Sequence, residues 1–225
     1  QGITGNEDAN ESGGRRQLIV SWYDHEPDAI VKGARISFID LEDPEDIRYR
    51  HILLVVPTGA RTTPKFYPVL AETGAPLHAG GIVWIGNLLY VADTTQGFRV
   101  FDLSKIIEVT DTDDTDRIGV RDGRMDAHGY RYIAPQIARY TLDLNSCKVR
   151  FSFVSLDRST SPPRLLSGEY RKDDTGGRLI EWPIDEQTGW LSSDADGLVR
   201  ATRSLVGGQT KMQGALALGE AIYIS

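Results

Sequence analysis

Three short patterns recur along the chain in one fixed order, and this recurrence constrains the fold more than any other feature of the sequence. The first pattern is a glycine that opens a short apolar segment, and it occurs at Gly2-Ile3, Gly81-Ile82 and Gly214-Ala215, with 151–153 as a weaker copy. The second is an apolar segment that ends in a small residue, at Ser21, Ala92, Ser167 and Ser225. The third is Gly-x-Arg before an alternating segment, and it begins at Gly33, Gly97 and Gly176.

Each copy of the third pattern is followed by one more strand candidate, which we place at 50–56, 130–134 and 198–202. Every complete unit therefore contains four predicted strands. The units are longer than the roughly 40 to 50 residues that a minimal four-stranded blade requires, so we expect long loops between the strands. Glycine and proline are spread along the chain, and the apolar runs are short and rich in Val, Ile, Tyr and Phe, which is typical of an all-β protein.

These units predict an all-β fold of the β-propeller type, built from four-stranded antiparallel blades. A single four-stranded sheet cannot bury both of its faces, whereas sheets stacked around an axis cover one another. A β-sandwich would also contain strands and turns, but it does not require the same patterns to recur in one order. The propeller is therefore the preferred interpretation.

The predicted blades span approximately 1–57, 78–140 and 149–206, with a partial blade at 213–225, and together form one domain over 1–225. The chain thus carries about three and a half blades. Because a propeller needs at least four blades to close, we expect the chain to be a fragment of a protein that completes the ring with further blades.

Charge and composition exclude several classes of partner. The net charge of −7 and the pI near 5.1, with no cluster of Lys and Arg, argue against binding to nucleic acid. No apolar stretch reaches the ~20 residues that a transmembrane helix needs, so we expect no membrane span. Cys147 is the only cysteine, which excludes a disulfide within the chain.

The stretch 89–103, LYVADTTQGFRVFDL, resembles the bacterial surface repeat known as LVIVD, whose copies form propeller blades. Most of the chain is also similar to a family of uncharacterised secreted bacterial propellers, through HAGGIVWIGNLLYVADT, FSFVSLDRS, GEYR and KMQGA. The resemblance implies the propeller fold and a secreted, extracellular or cell-surface location. It implies no catalytic residues.

Candidate ligand-binding residues precede the first pattern of each unit, at Gln1, His78, Arg150 and Gln213. In a propeller these positions meet at one mouth of the central channel, and we call them the channel mouth. Their amide, imidazole and guanidinium groups suit a neutral or anionic small ligand, such as a sugar or a carboxylate. The interpretation that we prefer is that they bind backbone carbonyls and channel water.

Two acidic clusters, at 111–116 and 192–197, have a composition that could suit Ca²⁺. In the second cluster Asp194 and Asp196 approach the spacing of a calcium loop, but Ser192 replaces the first acid and Arg203 stands where a bidentate Glu is expected. A solvated loop is the better interpretation of both. The histidines lack the spacing of a transition-metal site, so we predict no cofactor other than this possible Ca²⁺.

Two functions remain open. The first, which we prefer, is a non-catalytic scaffold that binds a small ligand, a glycan or a protein. The second is a propeller hydrolase or lactonase with a metal or a carboxylate pair in the central channel. The sequence contains no nucleophile elbow, phosphate-binding loop or zinc-protease motif. Acidic side chains beside His78 would favour the enzyme, and an aromatic mouth would favour binding.

Overall fold

The computed structural model describes residues 2–7, 9, 16–25, 30–60, 62–110, 113, 116–143 and 148–225. Over these residues the chain is all-β, as predicted, with one single-turn 3-10 helix at Leu103–Lys105. Among the described residues no helix has the length and apolar character that would let it cross a membrane.

The strands of the first half are Ile3–Gly5 (β1), Gln17–Tyr23 (β2), Ala34–Asp40 (β3), Arg48–Ala60 (β4), Thr63–Pro68 (β5), Ile82–Ile85 (β6), Leu88–Asp93 (β7), Gly97–Asp102 (β8) and Ile107–Glu108 (β9). Those of the second half are Ile118–Arg121 (β10), Arg124–Ala127 (β11), Tyr132–Thr141 (β12), Phe151–Asp157 (β13), Arg164–Glu169 (β14), Arg178–Pro183 (β15), Arg203–Val206 (β16), Ala215–Leu218 (β17) and Ala221–Ile224 (β18).

Fourteen of the eighteen described strands form three antiparallel groups of four strands, here called sheets, and a final hairpin. Of the rest, β5 pairs with β4, β9 pairs with β12, and β10 and β11 form a separate hairpin. The first sheet is β1-β2-β3-β4, the second is β6-β7-β8-β12, the third is β13-β14-β15-β16, and the hairpin is β17-β18. The second half of β12 pairs antiparallel with β8, while its first half, from Tyr132 to Pro135, pairs in parallel with β4. The outer strands of the first two sheets are therefore joined.

The innermost strands of successive sheets lie next to one another, since β1 contacts β6, β6 contacts β13, and β13 contacts β17. Side chains tie them together across the sheets. The Ser21 hydroxyl donates to the carbonyl of Ala79 at 2.7 Å, and the Ser155 hydroxyl donates to the carbonyl of Ala215 at 2.8 Å. Sheets arranged side by side around their first strands confirm the all-β, propeller-like fold.

The close approach of the inner strands explains the glycine that opens β6. A Cβ added to Gly81 would lie 2.5 Å from Cα of Phe153 in β13, which is closer than real side-chain contacts allow. A Cβ on Gly2 would likewise lie 2.7 Å from the backbone nitrogen of Ile82. Glycine at these positions lets neighbouring backbones pack without a side chain between them.

The core consists of layers between the sheets. Trp84 and Leu89 of the second sheet pack on Ile36 and Leu54 of the first, whereas Tyr90, from the opposite face of the second sheet, packs in the layer shared with the third. Both faces of the second sheet are thus covered, and every residue of β7 is buried. This explains why β6 and β7 read as nearly continuous apolar runs.

The predicted fourth strands of two units are displaced. The second unit pairs through 136–141 rather than 130–134, and the third unit pairs through Arg203–Val206 rather than 198–202. In the third unit, Val199 packs against the core between the second and third sheets instead of joining a strand. The outermost strand of the third sheet, β16, is exposed at every residue, so its sequence needs no apolar pattern. The prediction was wrong because it took the more apolar segment at 198–202 to be this strand.

Candidate functional site

Two of the predicted mouth residues lie together at the end of the molecule where the innermost strands begin. His78 precedes β6, is exposed, and stacks against Tyr23 with 4.6 Å between ring centroids. The other neighbour of Tyr23 is His25, whose ring lies 5.7 Å away. Because β2 runs antiparallel to β1, the end of β2 reaches the same mouth as the start of the inner strands.

Arg150 is exposed directly before β13, and its charge acts on His78. Desolvation lowers the pKa of the His78 imidazole, and the charges of His25 and Arg150 lower it further. A cation that disfavours protonation of His78 must lie within electrostatic range of the ring. His78 is therefore neutral at neutral pH and offers hydrogen-bonding nitrogens beside a guanidinium.

The segment that delivers Arg150 is held in place by a buried carboxylate. Glu169 accepts the backbone N–H of Arg150 at 3.3 Å and binds Arg178 through both of its oxygens. Burial acts to raise the pKa of Glu169, but the hydrogen bonds from Arg178 and from the backbone outweigh it, so the pKa lies below its usual range. Glu169 is thus ionised and engaged by Arg178.

Arg150 also lines a cleft of about 800 Å³ between the second and third sheets. Its rim carries Lys148 and Lys172, both exposed, and Tyr170. Four acids line this cleft, of which Asp174 is paired with Arg171 at 3.0 Å and Glu169 with Arg178, and the other two are Asp143 and Asp173. Over the described residues no ion pair involves Arg150, so its guanidinium is available to an anion entering from the cleft.

The structure describes only one of the other two predicted mouth residues, Gln213. Gln1 lies outside the described residues. Gln213 is exposed before β17, and its backbone N–H donates to the carbonyl of Ser225 at 2.8 Å. Among the described residues, no hydrogen bond or ring contact links its side chain to His78 or Arg150.

The aspartates of the possible calcium loop are engaged with groups of their own loop. One oxygen of Asp194 accepts the backbone N–H groups of Asp196 and Leu198 at 3.0 Å, and the other pairs with Arg200. Asp196 lies 3.9 Å from the same guanidinium. Over the described part of the chain, no three His, Cys, Asp or Glu side chains are grouped to hold a metal. Asp111 and Asp114 of the first cluster lie outside the described residues.

Tyr23 and His25 are the members of the cluster that the sequence patterns missed. The sequence did contain a signal for Tyr23. In an antiparallel pair the second strand ends beside the start of the first, and Tyr23 is the last residue of β2. The nearest acid along the chain, Asp24, accepts the backbone N–H of Lys32 at 3.1 Å. Asp24 also lines a cavity with Tyr23 and His25. Over the described residues, the groups recorded as acting on the His78 ring are aromatic or cationic, which suits the binding of an anion.

Comparison with known proteins adds no further assignment. No protein-family model matches the chain, and no curated protein matches it.

Proposed function

We propose that the chain is the binding scaffold of a secreted or cell-surface propeller, and that its channel mouth binds a small carboxylate-bearing ligand such as a sugar acid. The observation that carries the proposal is the stacking of His78 on Tyr23 beside the charge of Arg150. The location outside the cell follows from the resemblance to secreted LVIVD-type propellers and is part of the same proposal.

The chemistry of the cluster supports an anionic rather than a neutral ligand. Arginine binds carboxylates through charge-assisted hydrogen bonds, and a neutral imidazole adds a directed hydrogen bond without a second charge. An aromatic ring such as that of Tyr23 provides a flat apolar surface for the body of the ligand. Glu169, which accepts the backbone N–H of Arg150, is already bound by Arg178, so it does not compete for the ligand site.

A calorimetric titration with glucuronate, and with glucose as the neutral counterpart, tests the proposal. Glucuronate is expected to bind, and Arg150→Gln is expected to weaken its binding at least about tenfold, because a hydrogen bond to a charged group contributes about 1.5–3 kcal/mol. Lys65→Gln, an exposed position on β5, provides the matched loss of charge and should leave the affinity unchanged.

Equal affinity for glucose and glucuronate, or no binding of either, would contradict the proposal. Turnover of a sugar lactone by the unmodified protein would replace it with the hydrolase alternative.

A further inference from the structure

A second concave site lies at the junction of the first two sheets. It is a cleft of about 370 Å³, which we call the outer cleft, and it is lined by Lys32, by 49–51 and by 128–132. Because β12 pairs in parallel with β4, with Tyr132 opposite Ile52, the residues that precede both strands are brought to one place.

The backbone at one wall of the outer cleft has an unusual conformation. His128 and Gly129 both have positive φ, 52° and 79°, in a tight turn closed by the N–H of Tyr130 donating to the carbonyl of Ala127 at 2.9 Å. A positive φ is uncommon outside glycine and costs free energy, so the surrounding structure must hold it in place. His128 lines the cleft, and only 5% of its surface is exposed.

The charge of the outer cleft is opposite to that of the protein as a whole. Its described lining contains three tyrosines, two histidines and the cations Lys32, Arg50 and Arg131, without a carboxylate, although the protein carries a net charge of −7. Arg131 is partly neutralised by Glu108, to which it donates at 2.9 Å. Arg50 donates to the backbone carbonyl of Tyr49, and over the described residues neither Arg50 nor Lys32 is in an ion pair.

The aromatic side chains of the outer cleft are held in fixed positions. Nδ1 of His51 lies 2.9 Å from the hydroxyl of Ser37, and the rings of His51 and Tyr49 are 5.1 Å apart. The hydroxyl of Tyr130 accepts a hydrogen bond from Arg35 at 3.1 Å. These contacts hold His51 and Tyr130 near the positions in which a ligand would meet them, which reduces the entropy lost on binding.

From this arrangement we infer that the outer cleft binds an acidic oligosaccharide. Lys32 and Arg50 receive the carboxylate or sulfate, and the tyrosines receive the flat faces of the sugar rings. The inference rests on the residues of the outer cleft and is independent of the function proposed for the channel mouth. It names a longer ligand than the single sugar acid proposed there.

The test uses a galacturonate tetrasaccharide and a heparin-derived tetrasaccharide as probes, with cellotetraose as the neutral control and AMP as an anion that carries a ring but no sugar chain. Binding is measured by calorimetry at about 50 mM and about 300 mM salt. At least one acidic tetrasaccharide is expected to bind, and its affinity should exceed those of cellotetraose and AMP. Its affinity should also fall at the higher salt concentration, because salt screens the charges.

Two variants locate the site, a double variant inside the outer cleft and a single variant beside it. Arg50→Gln combined with Lys32→Gln is expected to weaken binding at least about tenfold, since two charge-assisted hydrogen bonds are lost. Arg48→Gln lies two residues earlier on β4, is exposed and is paired with Asp46, so it should change the affinity less than about twofold. Thermal unfolding of each variant shows whether it is folded.

Arg150→Gln separates the two proposals, because it should weaken glucuronate binding at the channel mouth and leave tetrasaccharide binding unchanged. The inference is overturned if neither acidic tetrasaccharide binds, if cellotetraose or AMP binds as tightly, or if the double variant and Arg48→Gln have the same affinity.

Discussion

Arg178 binds both carboxylate oxygens of Glu169, at 2.7 Å from Nε and 2.8 Å from Nη2. Nη2 of Arg178 also donates to the carbonyl of Lys148, in the segment that leads into β13. The second sheet repeats the arrangement, with Arg99 bound to Asp93 at 2.8 Å and to the carbonyl of Leu70 at 2.8 Å. In both sheets an arginine from the third strand therefore anchors the segment that leads to a channel-mouth residue.

Replacing Glu169 with glutamine should destabilise the protein by about 3–5 kcal/mol, because it leaves the Arg178 guanidinium without its buried counter-charge. Chemical denaturation measures the change. Asp46→Asn removes the acid of an exposed pair with Arg48 and should cost less than about 1 kcal/mol. Similar losses for the two variants would show that the buried pair does not hold the third sheet together.

Gly81→Ala should destabilise the protein by about 1–3 kcal/mol, since the added methyl group has to displace the backbone of β13. Gly5→Ala in β1 is the matched control, because its Cβ would meet Leu18 at an ordinary 3.4 Å. Thermal or denaturant unfolding compares the two. If Gly81→Ala is as stable as Gly5→Ala, the inner strands do not pack in the way described.

His51 should make stability depend on pH on the acid side of neutrality. Desolvation, followed by the charge of Arg35, holds its pKa in the folded protein below the usual 6.5. As pH falls below the usual 6.5, the unfolded chain takes up a proton that the folded protein resists, so the free energy of unfolding decreases. Well above pH 6.5, His51 is neutral in both states and contributes no pH dependence. His51→Gln should therefore flatten the stability curve between about pH 7 and about pH 5. An unchanged slope would contradict this account of His51.

The sequence predicted the all-β, propeller-like fold because glycine-led strands and apolar alternation are local signals. The prediction that His78 and Arg150 lie at one mouth used the same local signal, since each comes shortly before an inner strand. The outer cleft could not be predicted, because it depends on the parallel pairing of Ile52 with Tyr132, which are distant in the chain.

The partners of the recurring arginines could not be predicted from the sequence either. The Gly-x-Arg pattern placed Arg99 and Arg178 at equivalent positions, but the sequence did not show their ion pairs with Asp93 and Glu169. The first sheet breaks the rule, since Arg35 donates to Tyr130 while Asp24 accepts the backbone of Lys32. A pattern of residue types therefore identifies equivalent positions without fixing their partners.

The protonation of His78 provides the most direct test of binding at the channel mouth. NMR titration of the His78 ring should give a pKa below 6.5 in the free protein, because desolvation and the nearby cations disfavour the imidazolium. Saturation with glucuronate should raise that pKa, since a bound carboxylate stabilises the charged ring. A His78 pKa that stays the same in the presence of saturating glucuronate would contradict the proposed site.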